Sequence, residues 1–130
     1  MLGQLESEGQ IVVADFEGGL GTLSRVKERV LDILLIVFEP TGKAIEVVRR
    51  ALQMTSERGY GRTILVANRG RDDADRRLLA EAFPGQECVE VPDDDLIREA
   101  AVTGAAPIDA APYSPAVQRI RSLARAFLPG

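Results

Sequence analysis

One continuous apolar run constrains the fold of this chain more than any other stretch of its sequence. The run is DILLIVF, residues 32–38, and every residue after the first is apolar. Branched apolar residues without polar interruption are typical of a strand that is buried on both faces of a parallel sheet. Glu39 and Pro40 end the run, and Thr41 is expected to cap a helix that stops at Gly59. The stretch therefore predicts a strand followed by a helix.

The same unit of strand and helix recurs along the chain. Further strands are expected at residues 11–15, 63–67 and 88–91. Strands that alternate with helices predict an α/β fold, here a three-layer sandwich with helices on both faces of a mostly parallel sheet of about four strands. The length suits a single domain over residues 1–130. The predicted core contains Val13, Leu34, Ile36, Val48, Leu52, Ile64, Val66, Leu79 and Phe127.

Composition disfavours several classes of function. The net charge of -4 and the lack of a basic block argue against nucleic acid as a partner. No run of about 18 apolar residues occurs, so we expect no membrane association and a cytoplasmic location. The chain has no histidine and one cysteine, which excludes Ser-His-Asp and Cys-His nucleophile sites within it. That cysteine, Cys88, is expected to be buried as a small apolar residue.

A glycine-rich turn follows the first predicted strand. Gly18, Gly19 and Gly21 follow the acidic residues Asp15 and Glu17 within a few positions. Glycines permit a sharp turn that a ligand can approach closely. A phosphate-binding loop is disfavoured because its lysine is missing and because the two carboxylates would repel a phosphate. Two interpretations stay open. Either Asp15 ends a Walker B-type strand and holds Mg²⁺ beside a nucleotide, or the turn is structural and its acid is solvated.

Polar elements follow each predicted strand in a definite order. They are an acidic, glycine-containing turn, a Glu-Pro-Thr element, an asparagine with a basic residue, and a proline-aspartate pair. In this order they resemble the later half of the MinD/ParA-like P-loop ATPases, most closely the CooC-type nickel-insertion ATPases of carbon monoxide dehydrogenase. The likeness spans nearly the whole chain. The matching residues are Asp15, Glu17, Gly18, Gly19, Arg25, Glu39, Pro40, Thr41, Asn68, Arg69, Pro92 and Asp93.

This resemblance implies roles for individual residues. Asp15 would hold Mg²⁺ through water, Asn68 would hydrogen-bond an adenine ring, and the backbone near Pro92 and Asp93 would flank the base. Apart from the resemblance, Asn68 also suits a simple turn at residues 68–70, and Pro92 and Asp93 suit the start of a helix. The nucleotide-binding set that the resemblance implies is Asp15, Glu17, Gly18, Gly19, Asn68, Arg69, Pro92 and Asp93.

The chain departs from that family in its phosphate-binding part. Family members carry a GKGGxGK-type loop whose lysines bind the phosphates, and no such loop lies upstream of Ile11. We therefore expect an incomplete P-loop NTPase-like domain that binds ATP and Mg²⁺ only with a P-loop-bearing partner chain. By itself the chain is not expected to be an ATPase. The alternative is a non-catalytic, homodimerising interaction module on a degenerate ATPase scaffold.

The missing P-loop strand also predicts how the chain assembles. In this class of sheet that strand lies between the strands expected at residues 11–15 and 32–38, so its loss would leave unpaired edges. The two strands would then pair directly, or a second chain would fill the place. Self-complementary pairing needs no second gene product, so a homodimer is favoured over a monomer.

Overall fold

A parallel sheet of three strands forms the centre of the part of the chain that the structure describes. The computed structural model describes residues 9–16, 21, 31–58 and 61–127. Within them the strands are β1 (Ile33–Phe38), β2 (Arg62–Gly70) and β3 (Cys88–Pro92), hydrogen-bonded in the order β1-β2-β3. Both neighbouring pairs are parallel. The predicted α/β class and parallel sheet are confirmed, with three strands among the described residues in place of the four expected.

Five helices accompany the sheet in the described part of the chain. Several of their ends carry the capping residues that the sequence indicates. The Thr41 hydroxyl accepts the Ala44 N–H at 3.2 Å, the Asp72 carboxylate accepts the Asp75 N–H at 3.0 Å, and Gly104 ends its helix with a left-handed φ of 73°. The helices are α1 (Gly42–Arg58), α2 (Asp73–Ala82), α3 (Asp95–Thr103), α4 (Pro107–Ala110) and α5 (Pro115–Phe127).

The predicted strand at residues 11–15 is wrong. Residues 11–16 have no regular secondary structure, and the side chain of Val13, a predicted core residue, is 88% exposed. A strand is stable only when a neighbour accepts and donates its main-chain hydrogen bonds. A short apolar run predicts the tendency to extend, but the neighbour comes from elsewhere in the chain.

The core is divided between the two faces of the sheet. Successive strand residues point to opposite faces, so Leu65 and Val66 of β2 belong to different clusters. Leu65 packs with residues of α1 and α2 and with Phe83, which directly follows α2. The Phe83 ring meets Phe38 edge to face with centroids 6.0 Å apart. Val66 packs with Ala116 of α5. Helices therefore cover both faces of the central strand.

The predicted core is only partly buried. Val48, Ile64, Val66 and Leu79 are buried, whereas Leu34, Ile36, Leu52 and Phe127 are half-buried. The expectation that residues 32–38 are covered on both faces is also wrong, because Leu35 is 41% and Val37 is 62% exposed. β1 lies at an edge of the described sheet, and α5 packs against β3 at the other edge. One face of β1 is consequently left uncovered by α5.

Two predicted boundaries near the ends of strands are corrected by the structure. The turn expected at residues 68–70 is a continuation of β2, which runs to Gly70 with a register irregularity between Asn68 and Gly70. The helix expected to start at Pro92 starts at Asp95, because β3 extends through Pro92. Both segments stay in the sheet because they pair with each other.

The opposite edge of the sheet, where the strands begin, contacts the end of α5 through Arg62. The Arg62 guanidinium forms a two-point ion pair with Glu87, which raises the pKa of Arg62 and lowers that of Glu87. It also lies 5.8 Å from the centroid of the Phe127 ring, within the range of a cation–π contact.

In the described residues, no helix is both long enough and apolar enough to cross a membrane.

Candidate functional site

Polar residues gather where the three parallel strands end, an edge that we call the carboxyl edge. Glu39 follows β1, Asn68 and Arg69 lie near the end of β2, and Asp93 follows β3. The carboxyl ends of parallel strands lie together, and open α/β sheets bind their ligands outside this edge. The carboxyl edge is therefore the candidate site.

A β-bulge at Arg69 shapes the end of the central strand. Asn68 is in register with Val91, whereas Gly70 is in register with Pro92, so Arg69 is an extra residue on β2. Its φ is 62°, in the left-handed region that costs a residue other than glycine roughly 1–2 kcal/mol. Beyond the bulge, the Asp93 N–H donates to the Gly70 carbonyl at 2.9 Å and keeps the two strand ends together.

The Arg69 side chain connects the ends of the outer strands. One terminal nitrogen lies 3.0 Å from Glu39 Oε1, and Nε lies 3.5 Å from Asp93 Oδ1. The negative charge of Glu39 is the main reason that the pKa of the guanidinium is raised, and Asp93 adds to it. Because the groups are partly exposed, each pair contributes little to global stability. The contacts instead determine where the three groups lie.

A second arginine extends this network along α3. A terminal nitrogen of Arg98 lies 3.2 Å from Asp93 Oδ1, and the other lies 2.5 Å from Asp95 Oδ1. With Glu39 and the neighbouring Asp94, this network of described residues has four carboxylates and two guanidinium groups, those of Arg69 and Arg98. The network is therefore acidic.

Asp94 fixes two helices to the end of β3. Its carboxylate accepts the Leu96 N–H at 3.0 Å and the Ala116 N–H at 3.1 Å, at the starts of α3 and α5. The Ala116 bond is the largest cause of the lowered pKa of Asp94. Ser114 caps α5 as expected, since its hydroxyl accepts the Val117 N–H at 3.2 Å.

Asn68 offers an unused amide at the candidate site. The residue is half-buried and is the last on β2 before the bulge. Within the described part of the chain, no hydrogen bond engages its side chain, whereas the backbone is held by the pairing of β2 with β3. An asparagine amide has two N–H donors and a carbonyl acceptor. Asn68 can therefore both donate to and accept from a ligand.

A polar cleft opens beside the carboxyl edge. Its volume is about 540 Å³, within the size range of small-molecule sites, and Gly70 and Pro92 at the ends of β2 and β3 line it. Two arginines that line the cleft contact Glu90. Arg76 Nε lies 3.2 Å from the Glu90 carboxylate, and Arg119 Nε donates to the Glu90 carbonyl at 3.2 Å. Asn68 is not one of the residues that line the cleft.

The structure brings part of the predicted site together. Asn68, Arg69, Pro92 and Asp93 share the carboxyl edge, and Arg69 contacts Asp93 directly. Asp15 is exposed, and among the described residues no hydrogen bond or ion pair joins it to this group. Glu17, Gly18, Gly19 and Arg25 lie outside the described residues. Nucleotide and Mg²⁺ binding by these residues stay predictions, and the described residues contain no cluster of three or more metal-ligating side chains.

The contacts that fix the side chains at the carboxyl edge were not predicted from the sequence. The sequence places Glu39 in a Glu-Pro-Thr element, but it predicts neither the ion pair of Glu39 with Arg69 nor the capping of two helices by Asp94. One feature of the sequence pointed to the ion pair. Charged residues directly after successive parallel strands necessarily come close in space.

Together, fold and site define an α/β protein with an open parallel sheet and a polar site at the carboxyl ends of its strands. No family model matches the chain. Over 82 residues it is 27% identical to an uncharacterized ATP-binding protein of Methanocaldococcus jannaschii. The match covers 63% of this chain and 32% of that protein, so it spans about a third of the relative's length. The chain is thus distantly similar to an ATP-binding protein.

Proposed function

We propose that this chain supplies the base-binding half of an ATP site of the MinD/ParA and CooC type, and that a P-loop-bearing chain supplies the phosphate-binding half. The observation that carries the proposal is the Asn68 amide, half-buried and without a hydrogen bond of its own among the described residues, at the end of the central strand. The similarity to an ATP-binding protein supports it.

The charge of the carboxyl edge favours a neutral base over a phosphate. The two arginines of the network at this edge are already paired with carboxylates, Arg69 with Glu39 and Asp93, and Arg98 with Asp93 and Asp95. A triphosphate brought to this edge would meet excess negative charge. Adenine carries no charge, and its neighbouring amino donor and ring-nitrogen acceptor match the two functions of an asparagine amide.

The remaining residues take secondary roles in this proposal. The backbone near Pro92 and Asp93 flanks the base, at the end of the strand that pairs with β2. Asp15 holds Mg²⁺ through water once the partner chain has brought the phosphates, and Glu17, Gly18 and Gly19 complete the proposed nucleotide-binding set. Mg²⁺ prefers carboxylate and water oxygens, which an exposed aspartate can supply.

The chain by itself is expected to bind ATP weakly. Each hydrogen bond to the base contributes roughly 0.5–1.5 kcal/mol net, whereas association costs an estimated 4–15 kcal/mol or more. A P-loop would add several charge-assisted contacts to the phosphates. The site therefore has to be tested at millimolar ligand with a method that reports on single residues.

The test is a titration with adenosine observed by NMR. Asn68 is the only asparagine in the chain, so its side-chain amide can be assigned by its loss in Asn68→Ala. Adenosine is expected to shift this resonance, and inosine, which has a carbonyl in place of the amino group, is expected to shift it less. Asn68→Ala should abolish the adenosine-induced shifts of neighbouring backbone amides.

Gln53→Ala is the matched control for the loss of a side-chain amide. Gln53 lies on α1 in a groove shared with Gly61 and Thr63, at the edge where the strands begin. This variant should respond to adenosine as the unmodified protein does. Unchanged Asn68 resonances at millimolar adenosine would contradict the proposal.

An interaction module is the second candidate function, and the exposed face of β1 favours it. Leu35 and Val37 lie on the same face of an edge strand, and in the described residues β1 pairs with β2 alone. Exposed apolar edge strands pair readily with other chains, and pairing with a second copy gives a two-fold dimer. Sedimentation velocity over a wide concentration range should then show a dimer that Val37→Lys weakens. A single monomeric species at every concentration would remove this candidate.

A further inference from the structure

Arg69 adopts a backbone conformation that its residue type disfavours. Among the described residues it is the one non-glycine residue with a positive φ. Such a conformation persists only where the surrounding structure imposes it, and residues of this kind concentrate at functional sites. Glycine would satisfy the backbone at this position without strain. The arginine side chain must therefore contribute something that glycine lacks.

The side chain holds the bulge from both sides. Its guanidinium reaches Glu39 beyond β1 at 3.0 Å and Asp93 beyond β3 at 3.5 Å. The planar fork of an arginine allows different nitrogens to contact two carboxylates at once, which a lysine ammonium does less well. The extra residue of β2 is thereby fixed relative to the ends of both neighbouring strands.

We propose that Arg69 is a positioning residue that orients the Asn68 amide through these two ion pairs. Asn68 directly precedes the bulge, and its side chain has no hydrogen bond within the described part of the chain to orient it. With no hydrogen bond to fix it, the χ1 rotamer of Asn68 depends on the φ and ψ angles that the adjoining bulge imposes on its backbone. The inference rests on the proposed function, because orienting Asn68 matters for a ligand that this amide recognises.

Three variants separate this role from a contribution to stability. Arg69→Gly retains the positive φ and loses both ion pairs, so it should fold with an unchanged or higher unfolding midpoint while Asn68 loses its fixed orientation. Arg69→Lys retains the charge and should restore the orientation in part. Arg98→Ala is the control, because it removes another partner of Asp93 and leaves the Arg69 contacts in place.

The measurement is the Asn68 χ1 rotamer distribution from three-bond NMR couplings, in the absence of ligand. The unmodified protein at low salt should show one rotamer, whereas Arg69→Gly should show averaged couplings. High salt should move the unmodified protein towards the variant, because exposed ion pairs are screened. Arg98→Ala should retain a single rotamer.

A single Asn68 rotamer in Arg69→Gly, or averaged couplings in the unmodified protein at low salt, would overturn the positioning role. The same samples are then titrated with adenosine and inosine. If Asn68 is ordered by Arg69 but no variant responds to adenosine, the proposed function fails and the positioning role stands. If adenosine shifts Asn68 equally in all variants, the proposed function stands and the positioning role fails.

Discussion

Replacing Gly61 with alanine is expected to destabilise the protein at the start of its central strand. Gly61 directly precedes β2, and a Cβ atom added to it would lie 2.3 Å from the Asp32 carbonyl oxygen and 3.3 Å from that of Leu31. Asp32 directly precedes β1, and its carbonyl accepts the Arg62 N–H at 3.0 Å. The added methyl group would thus push apart the two strands at the point where their pairing begins.

The expected loss follows from the size of this overlap. Ordinary contacts of a Cβ atom begin at 3.4 Å, so the Asp32 carbonyl would have to move by about 1 Å. The obstructing atoms belong to the main chain and cannot turn away as a flexible side chain would. Overpacking of this kind costs typically about 1–3 kcal/mol. With a urea m-value of ~1–3 kcal/mol per molar, the unfolding midpoint should fall by roughly 1 M.

Urea unfolding monitored by circular dichroism measures this effect. Gly42→Ala is the matched control, because a Cβ atom at Gly42 meets nothing within 4 Å and the residue opens α1. Its stability should be unchanged or higher by up to ~1 kcal/mol, since alanine favours helices over glycine. If Gly61→Ala is as stable as the unmodified protein to within ~0.5 kcal/mol, the close approach of the two strand starts is wrong.

Two further substitutions test the core and the helix caps. Leu65→Ala, at a fully buried position on β2, should lower the free energy of unfolding by about 2–5 kcal/mol. The control is Val102→Ala, at an 85% exposed position, which should change the free energy of unfolding by less than ~0.5 kcal/mol. Equal losses in the two variants would contradict the assigned core. Asp94→Asn should lower the melting temperature at neutral pH, because an amide is a weaker acceptor for the Leu96 and Ala116 N–H groups. The pKa of Asp94 is lower in the folded protein than in the unfolded chain. The ionised carboxylate therefore contributes its full stabilisation of the fold above the unfolded pKa of ~3.9. This contribution is lost as the pH falls through the lower pKa of the folded state. The difference from the unmodified protein should therefore shrink on acidification. Asp109→Asn, at an exposed position in α4, is the matched control, and its melting temperature at neutral pH should stay close to that of the unmodified protein.

The sequence by itself determined the local elements of this protein. The run at residues 32–38 and the one at residues 63–67 predicted two strands that the structure contains as β1 and β2. Thr41 and Gly104 predicted where helices begin and end, because a cap bonds to backbone groups within its own turn. The alternation of these elements was sufficient for the parallel α/β class.

Tertiary structure decided which extended segments join the sheet and which faces are covered. Residues 11–15 have the composition of a strand, but a strand requires a neighbour, and β2 is paired with β1 and β3. Val37 has the composition of a buried residue, but its exposure depends on where α5 packs. The bulge at Arg69 likewise follows from the register between β2 and β3 and from the Glu39 and Asp93 carboxylates on either side. Each of these features depends on contacts between residues far apart in the chain, which local propensity does not encode.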